Sequence, residues 1–400
     1  MRTEGDWRLG ERRRERELEG SGGERSDQDF RQGTGESDGL DVDLGDPRRL
    51  RAKVLVTVLG GVLMLTAGAW AVGSLIEGSH GLQNIGGASE GVHWSRFGQK
   101  LELEPSLDES AGDGSIEIGV HPKPGWASAS GKDSHGRWAE FQVGEVVQRM
   151  RWIPAGTFTM GSPKDDPGRF SDEGPRHEVR LSEGYWMADT ECTQALWAEV
   201  MDGNPSEFVS PTRPVEQVSW ADVQVFIPKL NTRVPGLEAS LPTEAQWERA
   251  CRWESEPGPY VGPVEILGAH NAPDLDLVAW YGGNSGIGFE LREGRDSSSW
   301  SGKQYPHTPL AGTHPVRGKD PNGVGLYDML GNVWEWCADG RRAYPETGGV
   351  SVDPVGSGRE RAVRGGSWVS DARLVRTAYR LGNAPGNRLD FLGFRLARGP

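Results

Sequence analysis

Cysteine is scarce in this chain. Only Cys192, Cys251 and Cys337 occur in 400 residues, and none follows position 337. Three thiols form at most one internal bridge, which excludes a disulfide scaffold, and their wide spacing excludes a CxxC-type metal or redox site. Buried free thiols are the common fate of such residues, and a Cys251–Cys337 pair stays open. Basic charge is also in deficit, with 44 Lys+Arg against 58 Asp+Glu and a net charge of −14. That argues against nucleic acid as a partner, because phosphate binding is driven by basic surface, and it disfavours anionic lipid as a partner of the globular part. Core-forming residues make up only 35%, whereas glycine reaches 58, so much of the chain must be loop. What is abundant is tryptophan, sixteen against seven tyrosines. Each indole brings a large buried area and an N–H that needs a partner, as a compact, heavily pinned loop fold would supply.

The chain divides by composition. Residues 1–53 carry 12 Lys+Arg and 14 Asp+Glu and almost no aliphatic clusters; such a stretch cannot bury enough surface to offset its ordering entropy and is expected to be a disordered cytoplasmic arm. Residues 54–76, VLVTVLGGVLMLTAGAWAVGSLI, are uncharged, and a helix of that length spans about 35 Å, enough to cross a bilayer. Ala69-Trp70-Ala71 resembles a signal-cleavage pattern, but the long preceding arm and long apolar run fit an anchor better. Arg48, Arg49, Arg51 and Lys53 precede it, while no Lys or Arg follows until Arg96. The positive-inside rule then puts the N-terminus in the cytoplasm and the remainder in the periplasm or outside the cell. Residues 77–114 read as a flexible tether, and 115–400 as the domain.

Within the domain, Ser115–Val120 and Trp138–Trp152 read as strands. Apolar spacing predicts three short helices: Thr193–Met201, with Thr190 and Thr193 as capping candidates; a second after Ser219, ended by Pro235 and Gly236; and a third from Thr243 through EAQWERACR, with Trp247 and Ala250 on one face. After residue 254, glycine, proline and asparagine punctuate short apolar islands, the pattern of ordered loops between brief strands. Trp334 and Trp336 alternate with Glu335 as a half-buried strand requires, Gly331-Asn332 is a turn signal, and Gly365-Gly366 beside Trp368 implies close backbone approach to a large ring. Asp165, Asp166, Asp172 and Glu173 read as a solvated loop. Arg359, Arg361, Arg364, Arg373, Arg376, Arg380, Arg388 and Arg395 read first as forks that pin loops to carboxylates and carbonyls, and second as a groove for an acidic peptide.

Seven blocks occur in order: IPAGTFTMGS (153–162), PRHEVRL (175–181), RPVEQVSWADV (213–223), LPTEAQWERACR (241–252), HPVRGKDPNGVGLYDMLGNVWEWCAD (314–339), RGGSW (364–368) and GFR (393–395). Over 150–398 the chain resembles the formylglycine-generating, sulfatase-modifying-factor family. The resemblance implies an α+β, loop-rich, C-type-lectin-like fold with few regular elements. It also implies a structural Ca²⁺ held by the side chains of Asp328 and Glu335 and the carbonyls of Gly331 and Val333, a hard oxygen set of the kind calcium prefers. The alternative for the same residues is that Asp328 caps the turn and Glu335 meets a C-terminal arginine.

The family's oxidase binds copper(I) through two cysteines shortly after GGS, and soft thiolates suit that ion. Here the matching positions are Ser370 and Val375, and no thiol lies in 338–400 under any alignment. Copper is therefore not expected, and Cys337 reads as a packed thiol or a partner of Cys251. A second branch of the family uses a non-haem iron site, but none of the eight histidines has a close HxH, HxxxH or HxxxHxE spacing; His177, His307 and His314 stand in blocks or loops. Two functions follow as expectations. One is a membrane-anchored, non-catalytic module that binds a protein or peptide ligand outside the cytoplasm. The other is an oxidoreductase acting on cysteine, or a non-haem iron enzyme, through an unrecognised site.

Overall fold

The computed structural model describes residues 123–399, apart from 167, 254–259, 261–263, 301, 303–308 and 347–348. The charged arm, the apolar run 54–76, the tether and the expected strand 115–120 lie outside the described residues. Among those described, no helix is long and apolar enough to cross a membrane.

The first part of the domain is an antiparallel ribbon of β1 (Ala129–Asp133), β2 (Gly136–Val143) and β3 (Val146–Ile153). The run expected as one strand over 138–152 is thus a hairpin. Val143 pairs with Val146, and Gly144, at φ 59°, supplies the positive φ that a two-residue turn needs at its first position. Strands β6 (Tyr185–Ala188), β17 (Ala397–Arg398) and β7 (Ala239–Ser240) extend the ribbon into a six-stranded sheet in the order β1-β2-β3-β6-β17-β7. The C-terminal end of the domain therefore closes onto strands formed much earlier in the chain.

All three helices form where the capping signals place them. Helix α1 (Gln194–Val200) is capped by Thr193, not Thr190, through Leu196 N–H at 3.2 Å. Helix α2 (Trp220–Arg233) begins with a reciprocal box between Ser219 and Asp222. Helix α3 (Glu244–Arg252) begins with the same device between Thr243 and Gln246. Each box satisfies N–H groups that the first helical turn leaves without partners. Trp247 and Ala250 of α3 are fully buried, beside Cys251 and Cys337 in one apolar cluster. All three cysteines are buried free thiols.

A second sheet has the order β15-β14-β12-β16, from Arg380–Asn383, Arg361–Arg364, Trp334–Gly340 and Leu392–Gly393. Strand β12 corrects the half-buried expectation. Trp334, Glu335 and Trp336 are at most 1% exposed, because the strand is paired on both edges and covered on both faces. The two indoles fill the interior, and Glu335 is tolerated there because it meets the cation of Arg395 and accepts from Trp247. The glycine pair behaves as expected, with one difference: a Cβ on Gly365, at φ 98°, would approach the ring of Trp247, 3.3 Å away, rather than that of Trp368.

Candidate functional site

The GGSW segment connects β14 to the one-turn helix Ala372–Leu374. Ser370 Oγ accepts from Ser367 N–H at 3.1 Å and lies 3.0 Å from Ser367 Oγ, so the two hydroxyls close a tight turn with little solvent access. Main-chain bonds fix the turn from outside: Gly282 N–H donates to Ser370 O at 3.0 Å, and Trp368 N–H to Asn332 O at 2.8 Å. Val375 is buried in the main apolar cluster. The two positions that the resemblance sets against the family's cysteines thus hold a hydroxyl engaged in its own turn and an aliphatic side chain. Neither offers the soft donor copper(I) prefers.

A run of seven rings passes beside this turn. His270 stacks on Trp300, Trp300 on Trp368, Phe208 meets Trp368 edge-on, and Phe289, His314 and Trp280 continue the series. His270 Nε2 lies 3.1 Å from Asp371 Oδ1, next to Ser370. His314 stacks on Trp280 at 3.7 Å and meets the Ser285 carbonyl at 2.7 Å. Burial pushes its pKa down to about 4, so the ring is neutral and Nε2 is the donor of that bond. Arg213 lies over Phe289, 5.2 Å from the ring centre. Sequence reasoning missed this set because its members are spread from 208 to 368 with no common spacing; only Arg213, His314 and Trp368 stand inside recognised blocks.

The Asp328–Glu335 segment has a different character. Asp328 (φ 53°), Gly331 (φ 81°) and Asn332 (φ 55°) shape the turn, and Asp328 Oδ2 accepts from Arg317 N–H at 2.7 Å. Glu335 is engaged on both oxygens. Arg395 Nε reaches them at 2.9 and 2.7 Å, and Trp247 Nε1 donates to Oε2 at 2.7 Å. A third carboxylate, not singled out from sequence, is Glu191, which accepts from Val333 N–H at 3.1 Å and Asn332 Nδ2 at 2.8 Å. Burial, with Asp328 and Glu335 nearby, pushes the Glu191 pKa well up; burial likewise pushes Asp328 up to about 6. Burial works against the charge of Arg395, but Glu335, Glu191 and Asp328 outweigh it and hold the guanidinium protonated.

The contacts of Glu335 are therefore those of the arginine reading. For calcium, one observation is favourable: Asp328 Oδ1 is buried with no hydrogen-bond partner. One is unfavourable: Glu335 would have to leave Arg395 to join the ion. Among the described residues no group of three or more His, Cys, Asp or Glu is arranged to hold a metal.

The remaining arginines act mainly as pins. Arg364 meets Glu248, Arg380 meets Glu244, Arg388 meets Asp222 and Arg376 meets Glu173 and Asp166. The acidic 165–173 loop is accordingly solvated at Asp165 but buried at Glu173, a correction that follows from the guanidinium of Arg376. His177 packs against Tyr344 with the two rings tilted by 59° rather than joining other histidines, and His307 lies outside the described residues.

The model of the sulfatase-modifying factor enzyme 1-like domain matches residues 139–400. The chain belongs to this family. Among relatives, a formylglycine-generating enzyme of Thermomonospora curvata is 29% identical over 320 residues, covering 64% of this chain and 95% of the relative. An inactive Cα-formylglycine-generating enzyme 2 of Bos taurus is 25% identical, covering 66% and 92%. Of solved structures, the Treponema denticola variable protein 1 superposes with a TM-score of 0.52 at 30% identity, covering 66% of this chain and 99% of that one. The relatives thus include proteins named as formylglycine-generating enzymes and one named as inactive, and the fold is the mixed, loop-rich, C-type-lectin-like one that the motifs implied.

Proposed function

We propose that this chain is a non-catalytic member of the family, a binding or scaffold module for a protein or peptide. Residues 54–76 hold it in the cell membrane as a single pass, with the N-terminus cytoplasmic and the domain outside. The observation that carries the reading is the Ser367–Ser370 turn together with buried Val375: the positions matching the oxidase's thiolates have been rebuilt as hydroxyl pairing and core packing. A relative named as inactive supports it. Of the rings beside the turn, Phe208, Phe289, His314 and Trp368 are buried, and the half-buried His270, Trp280 and Trp300 are the surface left for recognition, since aromatic side chains supply contact area at low entropic cost. Affinity capture from membranes with the full chain tests the binding reading. Specific enrichment of a polypeptide is expected, and recovery of nothing above background sinks it.

The oxidoreductase reading rests on the identity to an enzyme named as formylglycine-generating, and it requires reactive groups other than those at 370 and 375. Incubation of the full chain with copper and a cysteine-containing sulfatase peptide separates the two. No aldehyde is expected, and aldehyde formation overturns the non-catalytic reading. A structural calcium at Asp328, Gly331, Val333 and Glu335 is a separate proposal, supported by the unmet Asp328 oxygen.

A further inference from the structure

The C-terminal arginines, which the sequence offered as an alternative groove for acidic peptide, are largely engaged inside the domain. Arg213 is not. It is 1% exposed, yet both Nε and Nη1 are buried without a hydrogen-bond partner, and among the described residues no other arginine has two such nitrogens. Its nearest acidic group is Glu290, with Oε1 3.6 Å from Nη2, longer than a hydrogen bond. A guanidinium carries five N–H donors in a planar fork that matches a carboxylate, and leaving such a group dry and unmet is costly.

The surroundings point to what is missing. Phe289 supports the guanidinium from one side and links it, through Phe208, to Trp368 of the Ser367–Ser370 turn. The hydroxyls of Ser285 and Thr313 are also buried and unmet; Ser285 carries the carbonyl bonded to His314, and Thr313 precedes His314 in the chain. The cover over Arg213 is thin on the Glu290 side, because the Glu290 side chain is 72% exposed. It follows Gly286 and Gly288, and a Cβ added to Gly288 would meet nothing within 4 Å.

We propose that Arg213 is the anchor for a carboxylate of the bound polypeptide, which takes the guanidinium by displacing Glu290. The inference rests on the binding reading and names its ligand chemistry: an acidic side chain or a free C-terminus, with the half-buried rings of the run, His270, Trp280 and Trp300, receiving the neighbouring residues.

The test is calorimetric titration of the full chain in detergent micelles with three hexapeptides of otherwise equal composition. One is amidated and carries a glutamate, one has a free C-terminus and no acidic side chain, and one is amidated and neutral. At least one of the first two should bind ten times more tightly than the neutral peptide, and which one does so identifies the source of the carboxylate. Glu290→Gln should tighten that peptide severalfold by removing the internal competitor. Arg213→Met should abolish the preference; Arg213→Lys, which keeps the charge without the fork, should lose most of it and covers the case in which the methionine variant does not fold. Equal binding of all three peptides, no binding by any, or a preference that survives in Arg213→Lys and Arg213→Met overturns the proposal. If a partner captured from membranes binds both Arg213 variants as well as it binds wild type, this inference falls while the binding reading stands.

Discussion

The guanidinium of Arg395 faces both carboxylate oxygens of Glu335 in the interior, at 2.9 and 2.7 Å from Nε, and neither side chain is more than 1% exposed. The same guanidinium donates to the carbonyls of Ala188, Tyr327 and Asp328. One side chain from the GFR block thus ties the end of β6, the Asp328 turn and β12 together. The family signature reads as a set of sequence blocks, but here two blocks are a single contact.

Removing one partner of such a pair leaves a buried charge uncompensated, which typically costs about 3–5 kcal/mol, whereas replacing both by neutral groups is far milder. Arg395→Met should lower unfolding stability by about that amount, and Glu335→Gln combined with Arg395→Met should recover a large part of it. Chemical denaturation of the two variants against wild type measures the difference. A double variant as unstable as the single one would mean that the cost lies in the lost carbonyl contacts rather than in the charge.

Calcium makes a separable claim on the same segment. An ion bound only by the folded state raises stability through mass action, so the melting temperature should rise with millimolar Ca²⁺ and fall with chelator. Asp328→Asn should remove the response, because the amide replaces the unmet carboxylate oxygen with a weaker ligand or a donor. A melting temperature indifferent to both additions ends the calcium proposal and leaves Arg395 as the cation that meets Glu335.

The helices were legible because their signals are local. Ser219 with Asp222, and Thr243 with Gln246, lie within one turn, and the capping bonds follow from their spacing. Turn glycines at 144, 331, 365 and 366 were legible in part for the same reason, though Gly144 was overlooked inside an apparently continuous strand. What sequence could not convey is which distant groups meet. Glu191 and Asn332 are 141 residues apart, and Phe208 and Trp368 are further still, so the carboxylate cluster and the aromatic run carry no periodic signature. Burial of Glu335 was misjudged for a related reason: alternation within β12 shows two faces but cannot show that both are covered.

The rebuilt turn can be probed by restoring what the family's oxidase has. Ser370→Cys with Val375→Cys places two thiols five residues apart on a backbone whose carbonyls and amides are already fixed by Gly282 and Asn332. If the frame is retained and only the donors differ, the double variant should bind about one more equivalent of copper(I) than wild type, as thiolate softness dictates. A chelator competition assay reads the difference directly. Equal copper uptake by the two proteins would show that the packing around Val375 has reshaped the frame as well as the ligands.

Glu216 gives the domain a pH dependence that can be assigned to one residue. It is fully buried, its Oε1 accepts from Phe208 N–H at 2.9 Å, and burial pushes its pKa up to about 8 from an ordinary 4.5. The folded state therefore keeps this proton up to about pH 8, whereas the unfolded chain releases it above about 4.5. Because the folded state binds more protons across that window, the contribution of Glu216 is most favourable at low pH and is lost as pH rises. A shift of that size corresponds to about 5 kcal/mol at 1.36 kcal/mol per unit. Glu216→Gln keeps an oxygen acceptor for Phe208 and cannot ionise. Its stability relative to wild type should thus be near parity around pH 4.5, rise steadily to about pH 8 and then level off. Denaturation curves at matched pH values check the trend. A difference that stays flat with pH, or falls, would mean that Glu216 is ionised in the fold and has a cationic partner.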